Sequence, residues 1–370
     1  MARVLIPTYP RDVHAIEVAL ALEDRGHEAV LWCGSDFPTW QSGSIEIRAD
    51  RFDWEIAGPE LEGGRRGPFD VVWLRRPTPP VLPADLHPAD LPVARRECHD
   101  FVNALHHLAA PDAFWLNPLA SRSRSELKPV QLREAVRAGL TVPPTLMSND
   151  PERIRRFLDE FHGRAVYKPF QPAQWEGDEE VALLLTNEVT GADLPEDEIL
   201  RATPGIFQAR VEKAHELRVT VMGGHVVTAR LRSQELEATR LDWRAAGAQL
   251  RVEPDRLPPA VEEACRRLMR ALGIYFGAFD FIVTPEGEHV FLEVNPAGQF
   301  LWVEEANPEL RLLAPFVDFL LSHDPEFRWS ATDGIRHADY YPRARERALA
   351  TGPSHVDPDS VFVSREEAEG

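Results

Sequence analysis

The sequence predicts an α/β protein, with an amino-terminal α/β domain followed by two smaller α+β lobes. Three observations predict it. The chain opens on a strand, a helix and a second strand. Its middle carries a compact helix-and-strand module. Further on come two hairpins turned at Gly223-Gly224 and Pro285-Glu286-Gly287, a local signal for antiparallel pairing.

Taken in order, Val4–Ile6 reads as a short buried strand. From Asp12 a helical pattern sets Ala15, Val18, Ala19 and Leu22 on one face and ends at Gly26, where glycine stops a helix readily. Ala29–Trp32 is a second strand. Ser44–Ile56 alternates apolar and polar residues and reads as a hairpin. Asp70–Leu74 is a strand stopped by Arg75-Arg76-Pro77. A proline-rich loop leads to a helix over 92–109, and Phe114–Leu116 closes a first domain, 1–119.

The second domain, 120–204, opens with a helix bearing Lys128, Leu132, Ala135 and Val136 that stops at Gly139. Pro144–Met147 is a strand. Asn149 or Asp150 caps a helix that starts at Pro151, the position proline favours. Strands follow at 164–168 and 181–186. The third domain, 205–323, holds a strand from Gly205, the hairpin Glu216–Met222 with His225–Leu231, a helix over Pro259–Leu272, the hairpin Phe279–Val283 with Val290–Val294, and a helix near Glu309–Leu321. From 324 to 370 the composition turns polar, which predicts a loosely packed tail. No internal repeat is present.

At 370 residues and 44% hydrophobic content the chain can bury more than one core. A net charge of -19 argues against nucleic acid and anionic membranes as partners. No apolar run approaches the roughly 20 residues a membrane helix needs. The first residues are too poor in apolar side chains for a signal peptide. Cys33, Cys98 and Cys265 lie far apart with no C-x-x-C pair, which fits free thiols in a reducing cytoplasm.

Thirty-eight basic residues are arginine and three are lysine, Lys128, Lys168 and Lys213. Where lysine survives such a bias, a compact ammonium suited to a phosphate oxygen is the chemistry to test. The carboxylates downstream carry the test. Glu293 and Asn295 are two apart on one strand and so share a face, and hairpin pairing brings Asp280 beside them. Three oxygen ligands on one face suit Mg²⁺; the alternative is a solvated strand end. No Walker-type loop and no G-x-G-x-x-G occurs. A nucleotide would lie between lysines of one module and metal ligands of the other.

Arg218 shares a face with Glu216, and Arg230 and Arg232 alternate on the partner strand. An arginine on this sheet could clamp a phosphoryl group or a carboxylate, or form a cross-strand ion pair. Between Lys168 and Arg201 there is no basic residue but nine acids, Glu176, Asp178, Glu179, Glu180, Glu188, Asp193, Glu196, Asp197 and Glu198. They form a solvated face or a dock for a basic partner.

Several motifs together resemble the ATP-grasp superfamily and, within it, the graspetide synthetases, the microviridin-type ribosomal peptide maturases. They are V-V-W-L-R-R-P at 71–77, F-W-L-N-P at 114–118, T-L-M-S-N-D-P at 145–151, E-L-R-V at 216–219, S-Q at 233–234, D-W-R at 242–244 and F-L-E-V-N-P-A-G-Q-F-L-W at 291–302. The resemblance covers about residues 1–320. It implies an ATP-grasp fold with a pre-ATP-grasp domain, a small central lobe and a C-terminal antiparallel-sheet lobe.

It also implies roles. Lys128 and Lys168 would contact ATP phosphates. Gln208, Arg210 and Val211 would belong to the adenine hinge, and Glu216 would bind ribose. Asp280, Glu293 and Asn295 would hold Mg²⁺. Arg218 would lie near the γ-phosphate and the acyl group, while Arg230 and Arg232 are candidates for the reacting groups from their place on the sheet alone. Lys213 borders the hinge. Glu196, Asp197 and Glu198 would receive a leader peptide. Many relatives have N-P-N-G-Q-W where this chain has N-P-A-G-Q-F, a change beside the metal set that bears on the substrate pocket.

The implied protein is a cytoplasmic, ADP-forming, homodimeric ligase. It would activate Asp or Glu side chains of a leader-and-core precursor peptide and join them to Ser, Thr or Lys. A ligase for free amino acids or a protein tail would share every ATP residue, and a non-catalytic scaffold would not need them.

Overall fold

The structure, a computed structural model, describes residues 1–58, 61, 68–170, 173–176, 181–184, 186–244, 250–330 and 334–357, with the backbone alone for 173–176 and 181–184. Asp178, Glu179, Glu180 and the side chain of Glu176 therefore lie outside the described residues. The chain divides into two compact units, Met1–Arg122 with Met222–His225 and Gln299–Gly370, and Ser123–Val221 with Val226–Gly298.

The first unit begins with β1 (Arg3–Thr8), α1 (Val13–Asp24), β2 (Glu28–Cys33), β3 (Ser42–Ile47), β4 (Phe52–Ala57), β5 (Val71–Trp73), α2 (Leu91–Leu108) and β6 (Phe114–Leu116). β2, β1, β5 and β6 form a parallel sheet in that order. Val4, Ile6, Val71 and Val72 have no exposed surface, as strands covered on both faces require. Asp12 caps α1 and accepts the Thr8 hydroxyl at 2.7 Å. β3 and β4 are the hairpin expected near Ser44–Ile56.

The second unit follows through α3 (Leu119–Ser125), α4 (Lys128–Ala138), β7 (Thr145–Ser148), α5 (Pro151–Glu160), β8 (Ala165–Lys168), β9 (Ala173–Glu176), β10 (Val181–Leu184), β11 (Asn187–Val189), α6 (Asp197–Ala202) and β12 (Gly205–Ala209). α4 ends on Gly139 at φ +86°, a conformation glycine adopts without penalty. Asp150 caps α5 by accepting the N–H groups of Glu152 and Arg153. β12 lies between β8 and β7, in a sheet of order β11-β8-β12-β7. The strand expected to open the third domain thus pairs in the sheet of β7, β8 and β11. Phe207 explains this, packing with Ile154, Leu158 and Leu200.

The unit continues with β13 (His215–Met222), β14 (His225–Leu231), β15 (Val252–Asp255), α7 (Pro259–Leu272), β16 (Phe276–Val283) and β17 (His289–Asn295). These strands form one sheet, β15-β14-β13-β16-β17. One face packs Leu217, Val219, Val221, Phe279, Phe281 and Val294 against residues of α4 and α7. The opposite face carries the polar residues considered below.

The chain then returns to the first unit with α8 (Leu301–Ala306), α9 (Leu313–Ser322) and α10 (His337–Thr351). Residues 299–323, expected in the third domain, group with the first unit, and the described part of the polar segment at 334–357 is packed rather than loose. α10 lays Ala344 and Ala348 on Ile16 of α1. Arg343 pairs with Asp24 at 2.6 Å and Arg347 with Glu23 at 3.0 Å. Glu304 accepts the N–H groups of Leu312, Leu313 and His337, which fastens the starts of both helices. The arginines that make the segment look polar are the ones that dock it. No helix among the described residues is long and apolar enough to cross a membrane.

Candidate functional site

On β13, Glu216 and Arg218 alternate with Leu217 and Val219, which belong to the apolar cluster. They therefore face the other side of the sheet. Asp280, between Phe279 and Phe281, does the same. On β17 the alternation is interrupted. Asp280 pairs with Glu293 and Phe281 with Phe291, so Leu292 is extra and the strand bulges there. The bulge lets Phe291 and Val294 both enter the core while Glu293 faces Asp280. Asn295 follows on the polar face, and its Oδ1 accepts the Ala297 N–H at 3.0 Å.

The acids are met by cations. Arg218 donates to Asp280 at 2.8 Å, both buried. Arg244 donates to Glu293 at 2.9 Å and to Asp280 at 3.5 Å, and its own backbone N–H and guanidinium bond to Asp242. Burial works against the Arg244 charge, but Asp280, Glu293 and Asp242 outweigh it and hold its pKa above the ordinary value. Burial likewise raises the Glu293 pKa, and Lys128, Arg244 and Lys168 more than reverse this. Glu293 is therefore a carboxylate at neutral pH.

Lys128 opens α4 and lies 3.6 Å from Glu293 Oε2 and 3.2 Å from the Pro169 carbonyl. Gln131 sets that distance. One turn along α4, its amide donates to Ser125 O and Val294 O and accepts the Val294 N–H, locking helix to strand. Lys168 ends β8 and donates to Gln208 Oε1 at 2.9 Å, and Gln208 donates in turn to Thr145 Oγ1. Burial pushes the Lys168 ammonium down to about 8; Glu293 pulls it up, while Lys128, Lys213 and Arg244 push it further down. The Lys168 ammonium thus senses two other lysines and an arginine around Glu293.

Lys213 bonds to Glu216 Oε1 at 3.0 Å and to the Leu241 carbonyl at 2.7 Å. Glu216 is buried, and its Oε2 has no hydrogen-bond partner among the described residues. An unmatched buried acceptor is costly and suits a ligand hydroxyl.

Other expected residues stand apart. Val226 packs on the apolar cluster, so Thr228, Arg230 and Arg232 alternate onto that same face, away from Asp280. Arg230 bonds Asp255 at 2.7 Å, and Arg232 bonds Glu253 at 2.7 Å. Both arginines hold β15 to β14. Arg210 pairs with Glu188 at 2.9 Å, and its backbone N–H donates to Arg164 O. Asp197 is engaged by Arg155 and Arg201, while Glu196 and Glu198 are exposed. Gln131, Asp242 and Arg244 are the residues that sequence reasoning missed as site members. D-W-R was the available signal for the last two, and Gln131 left none.

Two carboxylates and an amide oxygen on one face fit a hard divalent cation such as Mg²⁺, next to ammonium groups that can meet anionic oxygens. The same group of residues can compensate a polyanion and stabilise charge on a transferring phosphoryl group.

No protein-family model and no curated protein sequence matches the chain. Solved structures do. A RiPP-associated ATP-grasp ligase from Chryseobacterium gregarium, in complex with ADP and a leader and core peptide, is 27% identical with a TM-score of 0.79, covering 88% of this chain and 98% of its own. Macrocyclase MdnB from Microcystis aeruginosa is 31% identical with a TM-score of 0.71, covering 87% and 99%. The ATP-grasp ligase PsnB, complexed with a phosphomimetic variant of its minimal precursor, Mg and ADP, is 25% identical with a TM-score of 0.67, covering 87% and 98%.

Proposed function

The chain belongs to the ATP-grasp macrocyclases of ribosomal peptide maturation, and we propose that it cyclises a precursor peptide through acyl phosphates of Asp or Glu side chains. It is an ADP-forming ligase that uses ATP and Mg²⁺. The observation that carries the finer reading is the convergence of Lys128, Lys168, Arg218 and Arg244 on the Asp280–Glu293 pair.

A peptide carboxylate oxygen attacks the γ-phosphorus, the bond to the β-phosphate oxygen breaks, and ADP leaves. A Ser or Thr hydroxyl, or a Lys amine, then attacks the acyl carbon. Its proton is lost, inorganic phosphate departs, and the peptide is lighter by one water per ring. Lys128 and Lys168 bind phosphate oxygens, and Gln208 orients Lys168. The hinge backbone at Arg210 and Val211 faces the adenine, and Glu216 accepts from the ribose. Arg218 and Arg244, displaced from the acids, meet the peptide carboxylate or the acyl phosphate. Asp280, Glu293 and Asn295 would hold Mg²⁺, which supplies positive charge to the phosphate oxygens.

The leader is received beside the exposed Glu196 and Glu198. A homodimer in the cytoplasm completes the reading; light scattering of the purified chain checks the dimer.

Co-expression with a short peptide rich in Ser or Thr and Asp or Glu, sought among the genes beside this one, followed by mass spectrometry, tests the function. The expected result is loss of one water for each ring. In Asp280→Ala and Glu293→Ala the peptide should stay linear; rings formed at the full rate by either variant would refute the metal assignment.

A further inference from the structure

Lys213 is the lysine the reaction above leaves without a task. It lies between β12 and β13 with a side chain only 10% exposed. Two of its three ammonium donors are committed, to Glu216 Oε1 at 3.0 Å and to the Leu241 carbonyl at 2.7 Å. The second bond anchors the ammonium from the far side. The first leaves Glu216 with one oxygen compensated and the other, Oε2, without a partner among the described residues.

We infer that Lys213 is a positioning residue for the nucleotide sugar: it holds the Glu216 carboxylate ionised and turned so that Oε2 accepts a ribose hydroxyl. This rests on the nucleotide reading of the site. The chemistry is specific. A buried carboxylate alone would take up a proton, and a carboxylic acid offers the sugar a weaker acceptor. Burial already raises the Glu216 pKa, and the Lys213 charge is the largest influence pulling it back. The Ser233 side chain adds a smaller pull in the same direction, so the Lys213 charge is the larger of two supports for the carboxylate. Lys213 thereby acts on the sugar through Glu216, in contrast to Lys128 and Lys168, whose proposed partners are phosphates.

Calorimetric titration of the full chain with ADP and with its dideoxyribose analogue tests this. The wild type should prefer ADP by roughly tenfold or more, the worth of a hydrogen bond to a charged group. In Lys213→Met the ADP affinity should fall to that of the analogue, while the analogue binds as before. Glu216→Gln should behave alike, and the double variant should be no weaker than Glu216→Gln alone. Lys213→Gln keeps a donor for Leu241 O without the charge, guards against misfolding of the Met variant, and should also lose the preference. Equal weakening of both ligands in the lysine variants would mean direct phosphate contact and would overturn the inference, as would an unchanged preference. A wild type that binds neither ligand would instead defeat the nucleotide reading.

Discussion

Among the described residues Lys168 keeps its ammonium on a single acceptor, Gln208 Oε1, in surroundings that lower its pKa to about 8. The protonated form is the one that binds phosphate. Its pKa in the free protein lies below the ordinary lysine value, so ADP affinity should be flat at neutral pH and fall as pH rises through about 8. Phosphate contact raises the pKa, so binding in that range should take up a proton. Calorimetry across this window checks both, and Lys168→Met should bind more weakly without the downturn; an identical downturn in the variant would assign it to another group. Lys168→Arg should not rescue turnover, even though arginine is this chain's usual cation. A planar fork needs two acceptors in its plane, and the Gln208 amide offers one. A loss of roughly a hundredfold in ring formation is expected.

Elements differ in how much of them can be read from sequence. α7 begins at Pro259 and stops before Gly273 at φ +71°, both visible as local signals, and its predicted bounds are the observed ones. The β13–β14 turn was legible in the same way from Gly223-Gly224. The bulge at Leu292 was not, because Phe-Leu-Glu-Val reads as a continuous strand until the core shows that Phe291 and Val294 are both inside. Nor was the face of Arg230, which depends on register and on β15, a strand without its own pattern. α10 was hidden by its composition, since its apolar contact is two alanines and its docking is ionic. That contact makes a prediction. Ala344 has no exposed surface against Ile16, so Ala344→Glu should cost on the order of 3 kcal/mol by burying an unpaired charge. α10 should then detach, and limited proteolysis should cut between α9 and α10 faster than in the wild type. Unchanged cleavage would show that the ion pairs to Asp24 and Glu23 suffice.

Across the whole molecule, every residue proposed to meet nucleotide or metal lies between Lys128 and Asn295, inside the second unit. The acids of that unit are already compensated without a ligand, Asp280 by Arg218 and Glu293 by Arg244 and Lys128. Removing Mg²⁺ and removing an acid should therefore have different consequences. Chelation with EDTA should stop ring formation yet leave the melting temperature of the nucleotide-free protein where it was, because no buried carboxylate loses a partner. Asp280→Ala should stop ring formation and also lower that temperature. It strands the buried Arg218 guanidinium, and breaking a buried pair in this way costs about 3–5 kcal/mol. Arg218→Met in the same background removes the stranded charge and should restore most of the lost stability without restoring activity. Scanning fluorimetry on the chain's tryptophans separates the cases. A nucleotide-free protein that melts earlier in EDTA would mean the acids depend on a resident ion, and the arginines would then be a second layer around it.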